Sequence, residues 1–265
     1  MKDRVILSDM QSTYNYIWNR YMSSRRLILP RYGDGEYLIM KGHKKNIATH
    51  KVTEELTDLM NKAIKVKGQL ICIPMSRVYN NETHPDVRDV RSIAADYFIN
   101  VGEQPIYGHV QWRGVDVQHD FNLLAEFFIG KTLVVTGNHV ECKKAFEMNN
   151  IDIDILVGRK TNAFLDYKAL KSSLVSTAKK YDNIIFALGP TSNILIADMV
   201  VNCRSNLIDI GGFLGLLINP YSDDEKLVKN WTGIPRRASK EMIRRHSKKF
   251  FKKLNDKIKL YGGSS

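Results

Sequence analysis

Two rhythms of apolar residues run along this chain. Between 9 and 22, Met10, Tyr14, Ile17, Trp18 and Tyr21 recur at three- and four-residue intervals, the spacing of a helix laid on a core. Leu27-Ile28-Leu29-Pro30 is a short continuous apolar run and reads as a strand. Leu56, Leu59, Met60 and Ala63 share one face of a helix over about 52–66. Gln69 to Pro74 reads as a buried strand and 87–99 as a helix. Residues 102–119 are rich in Gly, His, Trp and Arg and keep no clear period. A stretch of that length is either functional or conceals a strand.

From residue 131 the alternation is regular. Strands at 131–136, 151–157, 183–188 and 207–210 are separated by helical patterns at about 140–148, 167–180 and 193–200. Strands alternating with helices of this length predict an α/β fold, a mostly parallel sheet with helices on both faces. Ligands of such sheets bind beyond the carboxyl ends of the strands. The glycine turns at Gly33, Gly137, Gly189 and Gly211 all follow strands and are expected to converge there. Neither a G-x-G-x-x-G fingerprint nor a G-x-x-x-x-G-K-[ST] loop is present, which disfavours dinucleotide and P-loop chemistry.

Composition narrows the class. The 265 residues are 43% hydrophobic, enough for a substantial core, and no apolar run reaches the ~18 residues of a membrane span. Met1-Lys2-Asp3-Arg4 opens no apolar signal region. Cys72, Cys142 and Cys203 are scattered and odd in number, and they read as reduced core thiols. Together these features predict a cytoplasmic protein. The net charge of +12 is concentrated: residues 236–259 hold eleven Lys or Arg against Glu241 and Asp256, leaving +3 for the rest. The chain therefore divides into an α/β domain, 1–235, and a basic C-terminal helix, 236–261. In that helix Ile243, Phe250, Leu254 and Ile258 fall on one face, with Ser239 as its N-cap. This pattern suits peripheral contact with an anionic membrane, or a helix docked on the body by its apolar face.

Candidate chemistry centres on Arg31-Tyr32-Gly33-Asp34-Gly35-Glu36, directly after the first apolar strand. Asp34 and Glu36 on a strand-tip turn are hard oxygen ligands suited to Mg²⁺ or Mn²⁺ that also holds a substrate diphosphate. Arg31 adds a fixed cation and Gly33 permits close approach. Gly137-Asn138 and Gly189-Pro190-Thr191-Ser192 each precede a helix, whose free N–H groups suit phosphate. Thr191 or Ser192 as a simple N-cap is the plainer reading of either alone. Arg77 follows a strand and suits a diphosphate or open solvent equally. His139 suits phosphate or exposure. His109 and His119 lack partners at metal-ligand spacing, which argues against zinc. Tyr107 and Trp112 suit stacking on a base or sugar but fit core packing better.

Taken together, the Arg31–Glu36 segment, Ala187-Leu188-Gly189-Pro190-Thr191-Ser192 and Ile208-Asp209-Ile210-Gly211 resemble, in this order, the bacterial glycosyltransferases of the GT-D fold type, first recognised as a conserved domain in streptococcal adhesin glycosylation. The resemblance covers roughly residues 10–220. It implies a Rossmann-like fold, a nucleoside-diphosphate sugar donor expected to be UDP-linked, and a divalent metal held through the Asp-x-Glu motif at Asp34 and Glu36. Arg113, after Trp112, falls where the family tends to place an arginine. The family continues its Asp-x-Gly turn with a histidine and a further acid, whereas this chain has Gly212-Phe213-Leu214.

These features predict a metal-dependent glycosyltransferase acting on a glycan, glycoprotein or glycolipid acceptor. Arg31 and the N–H groups at the Gly137 and Gly189 turns would share the diphosphate charge. Asp209 is equally suited to bind the acceptor, to act as general base or to cap a turn. Two alternatives are a non-catalytic nucleotide- or nucleic-acid-binding module gripping phosphates with its basic tail, and a sugar-modifying methyl- or pyruvyltransferase on a similar sheet. Carboxylates at the phosphate crevice speak against the first, so nucleic acid is disfavoured as a partner.

Overall fold

A computed structural model describes residues 4–7, 9–43, 46–47, 50–74, 85–221 and 240–262. Arg77, Pro235 and Ser239 lie outside the described residues. A two-residue strand β1 (Val5–Ile6) precedes helix α1 (Met10–Met22), whose N-cap Asp9 accepts the Ser12 N–H at 2.7 Å. Strand β2 (Ile28–Leu29) leads into α2 (Asp34–Met40), then α3 (Glu54–Ala63), strand β3 (Ile71–Ile73) and α4 (Pro85–Gly102). The aperiodic 102–119 stretch conceals strand β4 (Ile106–His109) and the short α5 (Arg113–Gln118), followed by α6 (Asn122–Glu126). The regular half follows as β5 (Thr132–Thr136), α7 (His139–Glu147), β6 (Asp154–Val157), α8 (Tyr167–Thr177), β7 (Asn183–Ala187), α9 (Pro190–Met199), β8 (Asn206–Asp209), α10 (Phe213–Ile218) and α11 (Lys240–Gly262).

All strand pairings are parallel. One ladder runs β1-β4-β3 and the other β2-β8-β7-β5-β6. Backbone bonds from Leu70 N to Ile28 O, Cys72 N to Pro30 O and Tyr32 N to Cys72 O join β3 to the β2 segment. The eight strands therefore continue into one another in the order 1-4-3-2-8-7-5-6.

Alternate side chains on each strand enter opposite cores, as a two-residue period requires. Ile28, Ile71, Leu133, Ile184 and Leu207 enter a core with α2, α3, α4, α8 and α9. Leu29, Cys72, Val134, Ile185 and Ile208 enter one with α1, α5, α6, α7, α10 and α11. Tyr107 and Trp112 are fully buried in these cores, and the three cysteines are buried and reduced. The fold is thus the parallel α/β arrangement that the alternation predicts.

Helix α11 docks through its apolar face. Ile243, Phe250, Phe251 and Leu254 are buried, and Phe250 packs edge-on to Phe121 and Phe128. Ile258 remains 37% exposed. Lys257 pairs with the buried Glu126, whose other neighbour Tyr261 donates its hydroxyl at 3.2 Å, and Lys249 pairs with Asp120 at 3.0 Å. Arg244, Arg245, Lys248 and Lys252 face solvent. Among the described residues, no helix is long and apolar enough to cross a membrane.

Candidate active site

The loop after β2 turns into the α2 layer, and the loop after the neighbouring β8 turns into the α10 layer on the opposite face. Chains leaving adjacent parallel strands toward opposite faces open a crevice at the carboxyl ends. Arg31, Gly33 and Glu36 enter it from β2, and Asp209 and Gly211 from β8. Gly189 enters from β7, and Arg113 from the segment after β4.

The sequence reading placed Asp34 and Glu36 on a turn, and the structure corrects this: both lie in the first turn of α2, with Gly33 at the N-cap. The acid at the third helical position explains the difference. Glu36 Oε2 accepts the Gly33 N–H at 2.8 Å, satisfying one donor that a helix start leaves free. Residues two apart on a helix point ~200° from each other. Accordingly Asp34 is exposed, whereas Glu36 is half-buried and turned toward the interior.

Asp209 ends β8 and is 2% exposed. Its Oδ1 accepts the Gly211 N–H at 2.7 Å and its Oδ2 lies 3.6 Å from Arg31 Nε. Burial pushes the Asp209 carboxyl above its usual range, and Arg31 and Arg113 pull it back. Burial likewise raises Glu36; Arg31 again opposes the shift, and the negative charge of Asp209 adds to it. Glu36 and Asp209 thus share one low-dielectric environment with Arg31 between them. Tyr32, fully buried, feels both carboxylates, and its hydroxyl is pushed well above its ordinary range, first by desolvation. Arg113 is buried beside them and donates to the Ile210 carbonyl at 2.5 Å.

Asn193, a residue the sequence reading did not single out, fixes Arg31 in place. Its Nδ2 donates to Arg31 O at 2.7 Å and its Oδ1 accepts Arg31 N at 3.1 Å. One side chain on α9 thereby reads both backbone groups of a β2 residue. In the sequence Asn193 is only the last of a polar run, Thr191-Ser192-Asn193, that opens an otherwise apolar helix.

The glycine turns are closed by the protein's own groups. At Gly189, with φ +60°, a Cβ would stand 2.7 Å from His50 Nε2. At Gly211, with φ +51°, it would collide with the Arg31 guanidinium. At Gly137 it would meet the Lys160 backbone at 2.5 Å, so the 159–160 loop covers this turn. Asn138 caps α7 without a side-chain cap bond, and its buried Oδ1 has no partner among the described residues. Pro190, Thr191 and Ser192 are buried at the start of α9. Ser192 Oγ accepts the Leu188 N–H at 2.9 Å, and Gly189 takes the N-cap position that Thr191 or Ser192 was expected to fill. Among the described residues, buried Thr191 Oγ1 and His50 Nδ1 have no hydrogen-bond partner. His50 was also absent from the sequence candidates; burial holds its imidazole below the ordinary pKa, in the neutral form.

The remaining candidates lie elsewhere. His139 is an exposed first residue of α7. His109 is buried, its imidazole pushed down to about 4 by desolvation. His119 is exposed and stacks on Tyr14.

The acidic donor set at the crevice is made of hard oxygens. No group of three His, Cys, Asp or Glu among the described residues converges to hold a metal by protein atoms alone. A cation here would draw on one or two carboxylates and a bound diphosphate, the usual Mg²⁺ pattern. The charges agree. Among the described residues, Glu36 and Asp209 balance Arg31 and Arg113, so a diphosphate entering without a cation would bring negative charge that no spare cation of the crevice offsets.

The family model described as "Glycosyltransferase GT-D fold" matches residues 29–214. Among solved structures, a glycosyltransferase (DUF1792) from Streptococcus sanguinis aligns with a TM-score of 0.59 at 18% identity, over 80% of this chain and 83% of that one. A domain of unknown function 1792 described as having a distinct glycosyltransferase fold aligns with a TM-score of 0.60 at 21% identity, over 91% of this chain and 93% of that one. No curated protein sequence matches.

Proposed function

Because the chain belongs to the GT-D glycosyltransferase family, we propose that it transfers a sugar from a nucleoside-diphosphate sugar, UDP-linked, to a glycan, glycoprotein or glycolipid acceptor with the aid of Mn²⁺ or Mg²⁺. The observation that carries this reading is the convergence of Glu36 and Asp209 on Arg31 at the β2–β8 carboxyl ends, where among the described residues Arg31 and Arg113 only balance the two carboxylates.

Glu36 would hold the cation at the crevice, with Asp34, on the solvent side of the same helix start, adding negative charge rather than a second ligand. When bound, the cation would supply Lewis-acid stabilisation to the departing diphosphate. Arg31 is the fixed cation of the site. Asn193 holds its backbone and Asp209 faces its guanidinium, so its orientation is set before a donor arrives. Arg113 adds a second buried guanidinium beside the Ile210 carbonyl. The Gly189 turn presents the start of α9, with its positive dipole end, to the same crevice. Both oxygens of Asp209 are engaged, one by Gly211 and one by Arg31, which favours an orienting role over proton abstraction.

The exposed Lys and Arg face of α11 supports reversible contact with an anionic membrane. Its apolar face is committed to the body, so this contact rests on charge, at about 1 kcal/mol per residue near the surface. A glycolipid acceptor would gain local concentration from it.

A thermal-shift screen of nucleotide sugars with and without Mn²⁺ tests the donor assignment, because selective binding stabilises the folded state by mass action. A Mn²⁺-dependent rise with a UDP-sugar is the expected result. Equal midpoints for every donor, with or without metal, would refute it.

A further inference from the structure

At the opposite, amino ends of β2, β7 and β8 lies a second cavity of about 930 Å³. Its lining includes Arg25, Arg26, Lys179 and Arg204 against a single carboxylate, Asp182. Asp182 Oδ2 accepts the Lys131 N–H at 2.9 Å, and its one negative charge leaves the lining strongly positive. Arg26 is part of the frame: it donates to the carbonyls of Val200 at 2.6 Å and Ser205 at 3.0 Å. Arg25, Lys179 and Arg204 are exposed at the rim, and among the described residues no acid pairs with them.

Three unpaired cations around one hollow repel each other, an arrangement that an anion relieves. Two guanidiniums and an ammonium offer forked and point donors that match the tetrahedral oxygens of a phosphoryl group. A volume near the upper end of the usual small-ligand range leaves room for the organic part of such a ligand.

The pocket is linked to the basic helix through one residue of its lining. Tyr21, whose ring lines the cavity, donates its hydroxyl to Glu126 O at 2.9 Å, and Glu126 also receives Lys257 and Tyr261 of α11. Val201 in the lining and Leu260 at the end of α11 are apolar and strongly exposed, at 86% and 69%.

We propose that this cavity is a phosphate-binding pocket, recognising a phosphoryl group carried by a small molecule or by a lipid headgroup through Arg25, Lys179 and Arg204. It is separate from the crevice, because the five residues of β7 place roughly 15 Å of sheet between them. The inference does not depend on the glycosyltransferase reading.

Calorimetry of the full chain in chelator, with inorganic phosphate and with glycerol 3-phosphate, tests the soluble source. Co-sedimentation with phosphatidylcholine vesicles, with and without phosphatidic acid, tests the lipid source. Arg25→Ala/Arg204→Ala and, independently, Lys179→Ala should weaken whichever binding is seen by ~10-fold or more. These side chains are exposed, so the unfolding midpoint should not move. Binding in the soluble arm, or only to phosphatidic acid vesicles, supports the pocket and names its source, provided the variants lose it. Absence of binding in both arms, or binding that the variants leave unchanged, would overturn the proposal.

Discussion

Arg31 and Asp209 face each other across the seam between β2 and β8, Nε to Oδ2 at 3.6 Å, with the guanidinium lying where a side chain on residue 211 would have to go. Gly211 therefore serves two ends: its φ of +51° disfavours L side chains, and its bare Cα leaves room for Arg31. Gly211→Ala should displace the guanidinium and lower kcat/KM by roughly 10²-fold, the effect of losing one preorganised donor. Arg31→Lys keeps the charge but loses the fork and should fall by a similar factor. Steady-state kinetics on both variants check this; near-normal kcat/KM in both would separate Arg31 from the chemistry.

Glu36 caps the start of α2, and substitutions can separate that duty from the metal-holding role proposed for it. Glu36→Ala removes the bond to Gly33 N and should cost about 1 kcal/mol, the usual value of a helix cap. Glu36→Gln keeps an acceptor oxygen and discards the charge. Burial raises the Glu36 pKa, so its ionised form opposes folding once the pH passes the unfolded value, and the amide escapes that penalty. At neutral pH the Gln variant should equal or exceed the native protein in urea unfolding while losing the Mn²⁺-dependent thermal shift. An intact Mn²⁺ response would remove Glu36 from the metal site.

The regular half of the fold was legible because each element there is long enough to show its period. β5, β7 and β8 and the helices between them fall within a few residues of the expected positions. The N-terminal half hid more. β1 has two residues and β4 reads Ile-Tyr-Gly-His, both too short for alternation to register. α2 reads as a turn in the sequence because two glycines outweigh the capping acid at Glu36. α10, Phe213–Ile218, is apolar on nearly every side, which erases helical periodicity. At the site, Arg31, Gly33, Glu36, Arg113, Asp209 and the Gly189 turn do converge. Gly137 instead accommodates the 159–160 loop. Asn193 and His50 escaped notice because their roles depend on contacts across 162 and 139 residues of chain, which no local pattern encodes.

Asp116 gives a pH signature independent of the crevice. It is buried, accepts Leu123 N at 2.8 Å and Leu124 N at 3.0 Å, and desolvation pushes its pKa from 3.8 up to about 6. The folded value lies above the unfolded one, so its contribution is fully present below about pH 4 and is lost as the pH rises through about 6. The stability difference between native protein and Asp116→Asn should therefore shift by on the order of 2–3 kcal/mol in favour of Asn across that window. Urea unfolding at pH 4 and pH 7 measures it; a pH-independent difference would contradict the assignment.

The Lys257–Glu126 pair fastens α11 to α6 in a largely buried setting. Lys257→Met leaves the Glu126 charge uncompensated and should destabilise by roughly 3 kcal/mol. Glu126→Gln/Lys257→Met removes both charges and should recover most of that loss. A double variant no more stable than the single would show that the pair acts through packing alone.

The proposed role of the carboxylates at the β2–β8 seam is metal-dependent transfer from a nucleotide sugar. Its most direct measurement is release of nucleoside diphosphate from a panel of UDP-sugars, with Mn²⁺ or with chelator, by the native protein, Glu36→Gln and Asp209→Asn. The account predicts Mn²⁺-dependent release from at least one donor by the native protein, and a fall of ~10²-fold or more in both variants. Release that persists undiminished in chelator, or that both variants retain in full, would contradict it.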